Sequence, residues 1–393
     1  RRICFKIVFV TAIFNPMEIR INTDEQERLL KELDSRTDAE ALRMKRYLAM
    51  PDLSRTPGSP LHEIFERVKS VPSLAGLDVI EVPEIVPVDI AFDLFDFPAD
   101  HVARSTSDTY YADAKNILRT QNTVSWYYYF NDPEIKARAA RGEHLGALCA
   151  GKVYRKDEID RRHMNVFHQI DGWKLIPNTE GKIPLDELKR VLSEIVETVF
   201  GKDTEYRFLD DTFPYTDPST QIEAMVNGQW VELLGAGMVK PSVLEKMGIT
   251  GYNGWAFGFG IERLAILSME LPDIRLLWSN DERVKKQLVL GQKFKEVSRY
   301  PGIIRDISFI VDSATYQPNV YFDLVRDVIG DMAEEMALVD EYENATKFGE
   351  GKKSYAYRIT YRSLDRTLTD TEVNDLHKKL EEETKKAFNA VVR

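Results

Sequence analysis

The chain has 393 residues, 43% of them hydrophobic and 30% charged, with a formal net charge of −11. That is enough chain for two domains with cores of their own, and the acidic balance argues against nonspecific coating of nucleic acid while leaving room for a local basic face. Two cysteines, Cys4 and Cys149, are too few for a disulfide framework and fit a reducing compartment; no Cys/His cluster has zinc-ligand spacing.

Residues 1–14, RRICFKIVFVTAIF, combine a basic start with an apolar run too short to span a bilayer. There is no small-residue cleavage site, Lys6 interrupts the run, and Met17 follows an Asn-Pro pair. An upstream extension of the reading frame is therefore preferred to a targeting signal. Residues 23–50 carry Leu29, Leu30, Leu33, Leu42 and Met44 among charges, which predicts a helix, either packed on the core or reaching RNA as an arm. Residues 51–60 read as a breaker-rich linker, residues 61–70 as a helix opening the main domain, and residues 77–88 as strand-like around Pro83 and Pro87. WYYYF at 126–130 reads as helical core in preference to a base-stacking platform.

The stretch 151–173, GKVYRKDEIDRRHMNVFHQIDGW, reads as a strand begun by Val153 and Tyr154, a charged loop, and a returning strand. In that strand Val166, His168 and Ile170 alternate with Phe167, Gln169 and Asp171. Arg155 offers a planar fork for phosphate or carboxylate, Phe167 an aromatic face, and His163 sits in the loop between; together they suit a nucleoside triphosphate, with an ordinary charged hairpin as the competing reading. Residues 182–200 have amphipathic helix spacing. Residues 254–269, GWAFGFGIERLAILSM, read as a glycine-spaced strand running into a helix that mounts Arg263 rigidly. Residues 271–298 read as a helical linker. A second domain then shows strand 303–311, helix 320–336, strands 337–342 and 354–361, helix 370–389 and a short last strand at Val391 and Val392, a βαββαβ order. Within residues 350–368, Lys352, Lys353, Arg358, Arg362 and Arg366 outnumber Glu350 and Asp365, which suits RNA phosphates; a strand edge guarded by charge competes with that reading.

An arginine strand ending in FHQ-x-[DE], followed about a hundred residues later by GWAFGFGIERL, resembles motifs 2 and 3 of class II aminoacyl-tRNA synthetases. The wording is similar to the single-chain phenylalanyl-tRNA synthetases best known from mitochondria, from about Ser59 to near the C-terminus. Residues 92–104, FDLFDFPADHVAR, resemble motif 1, with Val102 where the family has proline. LRTQNT at 118–123 resembles a segment usually written LR[AT]HTS, and FPYT at 213–216 one written FPFT. Asp171 stands where Glu is common, and Tyr215 where Phe is.

The resemblance implies an α+β chain: an N-terminal extension and helical arm (1–58), a class II antiparallel-sheet catalytic domain (59–280), a linker (281–298) and a ferredoxin-like anticodon-binding domain (299–393). It implies a phenylalanine–tRNA ligase that uses ATP and Mg2+, with tRNA(Phe) and L-phenylalanine as partners. A ligase for another amino acid or small carboxylate, and a noncatalytic tRNA-binding paralogue, are the alternatives. Arg155, Arg263 and His163 would hold the phosphates, Phe167 adenine, and Glu232 the magnesium. Gln121, Thr123, Asp157, Gln169, Asp171, Phe213, Tyr215 and Ala256 would line the amino-acid pocket. Lys352, Lys353, Arg358, Arg362 and Arg366 would meet tRNA. A monomer without membrane attachment is expected, cytoplasmic or alternatively in the mitochondrial matrix. A chain cut after Ser298 is expected to keep adenylate formation, because every nucleotide and amino-acid group precedes the cut.

Overall fold

The structure, a computed structural model, describes residues 16–226, 228–296 and 300–393; the sequence reading of residues 1–14 and the expected boundary at 298/299 lie outside them. The strands in chain order are β1 (Glu18–Arg20), β2 (Asp78–Glu81), β3 (Ile85–Pro87), β4 (Asn116–Leu118), β5 (Leu145–Tyr154), β6 (Val166–Pro177), β7 (Tyr206–Phe213), β8 (Thr216–Val226), β9 (Gln229–Val239), β10 (Tyr252–Gly260), β11 (Ile303–Asp312), β12 (Ala333–Glu343), β13 (Lys352–Tyr361) and β14 (Val391–Val392).

Eight of them form one sheet in the order β1-β2-β5-β6-β10-β9-β8-β7. It is antiparallel except at one edge, where β1 and β2 and then β2 and β5 pair in parallel. The helices Pro60–Lys69, Leu185–Phe200 and Ile261–Met269 bury their apolar sides on one face. On the other lies the helix Ser125–Asn131, whose Trp126, Tyr128, Tyr129 and Phe130 are core, as the sequence indicates.

β5 differs from the sequence reading. Val153 and Tyr154 end the strand instead of starting it, and all ten residues from Leu145 are buried. A strand covered on both faces shows no alternation, so its beginning is hidden from a period-2 search. Residues 23–50 form two helices, Asp24–Ser35 and Ala39–Ala49, because Asp38 caps the second through the Ala41 N–H. They pack Leu29, Leu33, Met44 and Tyr47 with Tyr110 and Tyr154, so the arm belongs to the core. Residues 271–296 are no free linker: Leu276, Leu277, Val284, Leu290 and Phe294 join the main hydrophobic cluster, and helix is limited there to Ile274–Trp278 and Glu282–Lys285.

The last four strands form a second sheet, β12-β13-β11-β14, with the helices Pro318–Ile329 and Asp370–Phe388 against it in the ferredoxin-like βαββαβ order. The first helix ends earlier than its periodicity suggests because Gly330 takes φ +66°, which frees residues from 333 onward for β12. A Thr369/Glu372 capping box starts the second.

The two domains meet at the charged loop between β5 and β6. Arg326 donates to the carbonyls of Asp157 (2.6 Å) and Glu158, the Met336 N–H donates to the Ile159 carbonyl (3.0 Å), and Arg161 pairs with the buried Glu334 (2.6 Å). The Ile159 side chain is buried within the hydrophobic cluster of the C-terminal domain. Beside it Asp323, wholly buried, accepts from Tyr110 (2.8 Å) and Asn165 (3.0 Å) and pairs with Arg43 (3.1 Å); burial raises its pKa against the pull of Arg43 and Lys156. A cut after Ser298 would remove these contacts from the loop, a cost that the expectation for such a truncated chain does not count. Ile159→Ala should cost about 2–5 kcal/mol by leaving a cavity in the C-terminal core. Denaturant unfolding of the full chain, followed by a probe in that domain, checks it.

Candidate active site

The alternation of β6 sorts its residues. Phe167, Gln169 and Asp171 face a cleft of about 1170 Å3, while His168 and Ile170 are fully buried on the other side. The cleft walls also include Gln121, Thr123, Arg155, Asp157, His163, Phe213, Tyr215, Glu232, Ala256 and Arg263, so one space gathers every residue expected to bind nucleotide or amino acid.

At one end the segment 121–123 is stitched to β6. The Thr123 hydroxyl donates to Asp171 (2.6 Å), the Asn122 N–H to the Gln169 side chain (3.3 Å), and the Asn122 amide to the Gln169 carbonyl (2.8 Å). The Gln121 amide donates to the Ala91 carbonyl (3.2 Å). Asn122 was not singled out in the sequence, although an amide between two pocket residues is the kind of group that fixes such a loop. Asp171 lies against β10 at Gly258, where a Cβ would stand 3.1 Å from its Oδ1; a side chain there would crowd the carboxylate. Burial pushes the Asp171 carboxyl up to about 7, opposed by the Thr123 hydrogen bond and the Arg155 and Arg119 charges.

The aromatic wall is Phe213 and Tyr215, stacked with ring centroids 6.2 Å apart, with Phe95 edge-on to Tyr215 at 5.9 Å. Gly235 makes room for it: a Cβ there would lie 2.5 Å from Phe213. Ala256 is buried between Trp255 and Phe257 on β10, beside Gly237 and Trp173 of the adjacent strands. Trp126, expected only in the core, also reaches the cleft wall.

At the other end Arg155 is open to the cleft yet walled by protein. Burial lowers its pKa, and Asp157, Tyr215 and Asp171 pull it back up. Its Nε donates to the Thr120 carbonyl (3.0 Å), which leaves both terminal nitrogens for a ligand, and its guanidinium lies 5.2 Å from the Phe167 ring centre. Arg263, exposed in the first turn of its helix, is held by the Glu232 carbonyl (3.1 Å) and carboxylate (3.4 Å). His163 is exposed in the loop with Nδ1 2.8 Å from Asp160. Arg161 and Arg162 line the same wall, and sequence reading passed over them.

No group of three or more His, Cys, Asp or Glu among the described residues is arranged to hold a metal ion. Magnesium commonly takes one or two carboxylates with the rest of its shell from water and phosphate, and Glu232, half exposed at the cleft wall, suits an ion that arrives with the nucleotide.

The residues expected to meet tRNA are mostly committed within the domain. Lys353 pairs with Glu341 (2.6 Å), Arg358 with Asp306 (2.8 Å) and Arg366 with Glu372 (2.8 Å). Arg362 reaches the Tyr300 carbonyl and the buried Glu334, at the junction with Arg161. The local positive balance is thus offset by carboxylates outside the stretch counted, and Arg362 serves the domain contact. Lys352 is exposed.

A mainly antiparallel sheet carrying two arginines over one cleft, joined to a ferredoxin fold, defines a class II aminoacyl-tRNA synthetase. The family described as "tRNA synthetases class II core domain (F)" matches residues 48–288, and "Ferredoxin-fold anticodon binding domain" matches residues 298–393. The chain is 38% identical to "Phenylalanine--tRNA ligase, chloroplastic/mitochondrial" of Arabidopsis thaliana over 80% of this chain and 72% of that one. It is 34% identical to the mitochondrial enzyme of Mus musculus (77% and 72%), and 32% identical to a probable mitochondrial phenylalanine–tRNA ligase of Drosophila melanogaster (86% and 80%). The chain belongs to the phenylalanine–tRNA ligase family.

The raised pKa of Asp171 bears on stability as a function of pH. A folded carboxyl that keeps its proton to about 7, against roughly 4 when unfolded, makes ionisation oppose folding, so this contribution to stability falls as pH rises through that window. Asp171→Asn should therefore be more resistant to denaturant than the wild type at about pH 8. The same variant should bind an amino-acid ammonium about 10- to 100-fold more weakly, and wild-type binding should weaken below about pH 7. Denaturant titration and calorimetry with phenylalanine across pH measure both.

Proposed function

We infer that the protein ligates L-phenylalanine to tRNA(Phe) in two steps, with ATP as co-substrate. The observation that carries this reading is the gathering, along one face of β6, of an ammonium-accepting carboxylate beside an aromatic pocket and a nucleotide-sized space with two arginines. The family membership agrees with it. The phenylalanine carboxylate attacks the α-phosphorus, pyrophosphate leaves, and the terminal ribose hydroxyl of tRNA then displaces AMP from the adenylate. Both steps need alignment and charge neutralisation more than a side-chain nucleophile.

In this reading Asp171 accepts the ammonium, with Gln169, Gln121 and Thr123 completing its hydrogen bonds and Asp157 at the cleft edge. Phe213, Tyr215 and Ala256 enclose the side chain. Arg155 neutralises the α-phosphate, Phe167 stacks on adenine, and His163 and Arg263 take the outer phosphates. A magnesium ion bound with ATP would spread charge off the phosphates, with Glu232 as its protein carboxylate. ATP's γ-phosphate would replace Glu232 as the partner of Arg263.

The C-terminal domain is taken to bind tRNA through Lys352 and, once their carboxylates are displaced, Lys353, Arg358 and Arg366. The chain is taken to act as a monomer, which light scattering at micromolar concentration would test. Among the described residues no helix is long and apolar enough to cross a membrane. The similar enzymes named above are organellar, so the mitochondrial alternative is preferred to the cytoplasmic expectation, which those relatives do not support.

ATP–pyrophosphate exchange with each of the twenty amino acids tests the reading, and the expected result is exchange with phenylalanine. Arg263→Ala should lower that exchange by about 100-fold without changing thermal stability, because it removes a charge-assisted clamp from an exposed site. Near-normal exchange in the folded variant would sink the role. Ala256→Gly should relax discrimination against para-halogenated phenylalanines by about 1–3 kcal/mol, since one methyl limits the pocket there. Unchanged kcat/KM ratios for those analogues would move the pocket floor elsewhere.

A further inference from the structure

His168 lies between Phe167 and Gln169 but points to the opposite side of the sheet, where its ring is fully buried. Its Nδ1 is 2.6 Å from Glu262 Oε1, and its backbone N–H donates to both oxygens of that carboxylate, at 3.0 and 2.9 Å. Its Nε2 accepts the Leu53 N–H at 2.9 Å, so the ring hydrogen sits on Nδ1, directed at Glu262. The nearby Asp52 Oδ1, 3.4 Å from Nε2, is engaged by the Ser54 N–H and hydroxyl. The Trp278 ring lies over the imidazole at 5.6 Å.

Glu262 is only 4% exposed and has no Lys or Arg partner among the described residues; hydrogen bonds from His168 are what solvate its charge. An ionisable side chain is held there at considerable desolvation cost, and the next residue along the helix is Arg263. One carboxylate thus ties the back of the strand that carries Phe167 to the start of the helix that carries Arg263.

We propose that Glu262 and His168 are positioning residues that fix the separation between Phe167 and Arg263, and with it the alignment of adenine and outer phosphates in the bound nucleotide. This rests on the nucleotide roles given above to Phe167 and Arg263. The amino-acid end has in addition an anchor of its own, the Thr123–Asp171 hydrogen bond. In Glu262→Gln, an amide NH2 replaces one of the two oxygens facing the His168 N–H. The Leu53 N–H prevents the ring from answering with the other tautomer, so two donors are forced together.

The test is ATP–pyrophosphate exchange in the full chain, with KM for ATP and for phenylalanine measured separately and thermal melting run alongside. Glu262→Gln is expected to raise KM for ATP or lower kcat by about 10- to 100-fold, as misplacement of a binding group by about an ångström does, with KM for phenylalanine within about twofold of wild type. His168→Asn retains a donor near the Nδ1 position and is expected to be milder than His168→Gln, whose amide lies nearer Nε2. That pair decides the matter if Glu262→Gln does not fold. An unchanged KM for ATP and kcat in folded Glu262→Gln, KM values for both substrates rising together, or equal effects of the two His168 variants would overturn the proposal. Phe167→Ala and Arg263→Ala serve as controls: if neither alters ATP kinetics, it is the nucleotide assignment that fails, whatever the Glu262 variant does.

Discussion

A strand with core on one face and a cleft on the other has to serve two environments with alternate residues, and β6 does so. One face presents Phe167, Gln169 and Asp171 to the cleft, while His168 and Ile170 hold the strand to the helices behind. A shift of one residue in its pairing with β5 or β10 would exchange the two sets and put Ile170 into the cleft. Register is protected by features that tolerate no shift: Gly258 opposite Asp171, and the Glu262 carboxylate held by the His168 N–H and ring. The cleft is therefore a consequence of strand pairing, and the loops around it only refine its shape.

That dependence explains what was legible in the sequence. Phe167, Gln169 and Asp171 could be read as one face because alternation survives wherever a strand meets a polar cleft on one side. Arg263 could be read because glycines precede it and helical spacing follows. The start of β5 could not be read, since ten consecutive buried residues carry no period. Nor could the burial of Ile159 in a domain that begins some 140 residues later, because an isoleucine within KDEIDRR looks like an incidental apolar residue in a charged loop. Its environment is supplied by Met336 and its neighbours, and only tertiary structure brings them there.

Asp171 shows how a buried carboxylate facing a cleft conflicts with a stable fold. Its surroundings contain the Thr123 hydroxyl and two arginine charges, yet burial outweighs them and leaves the proton on to about 7. Such a group is poorly solvated, and a cation brought into the cleft would supply what the protein withholds. Of the positions that set this chain apart from the usual family wording, Gln121, Thr123, Asp171 and Tyr215 line the one cleft, while Val102 does not. The short carboxylate is met by a threonine hydroxyl at 2.6 Å, so the altered positions are fitted to one another.

The C-terminal domain shows the complementary failure, where counting charges along the chain gave a basic face. β13 pairs with β11 such that Arg358 stands opposite Asp306, and Lys353 reaches across to Glu341 of β12. A sheet is electrostatically a two-dimensional object: the neighbours that decide a residue's free charge lie across the ladder, here 12 and 52 positions away in sequence. Phosphates approaching this surface would have to take over guanidinium and ammonium groups already held by carboxylates, so each new contact is an exchange between two anions and not the gain of a free cation. Exposed pairs of this kind are individually weak, about 0–1 kcal/mol, and a polyanion offering several phosphates at once can displace them where a single anion would not. The paired surface is thereby neutral toward stray anions while remaining open to a ligand that engages many sites together.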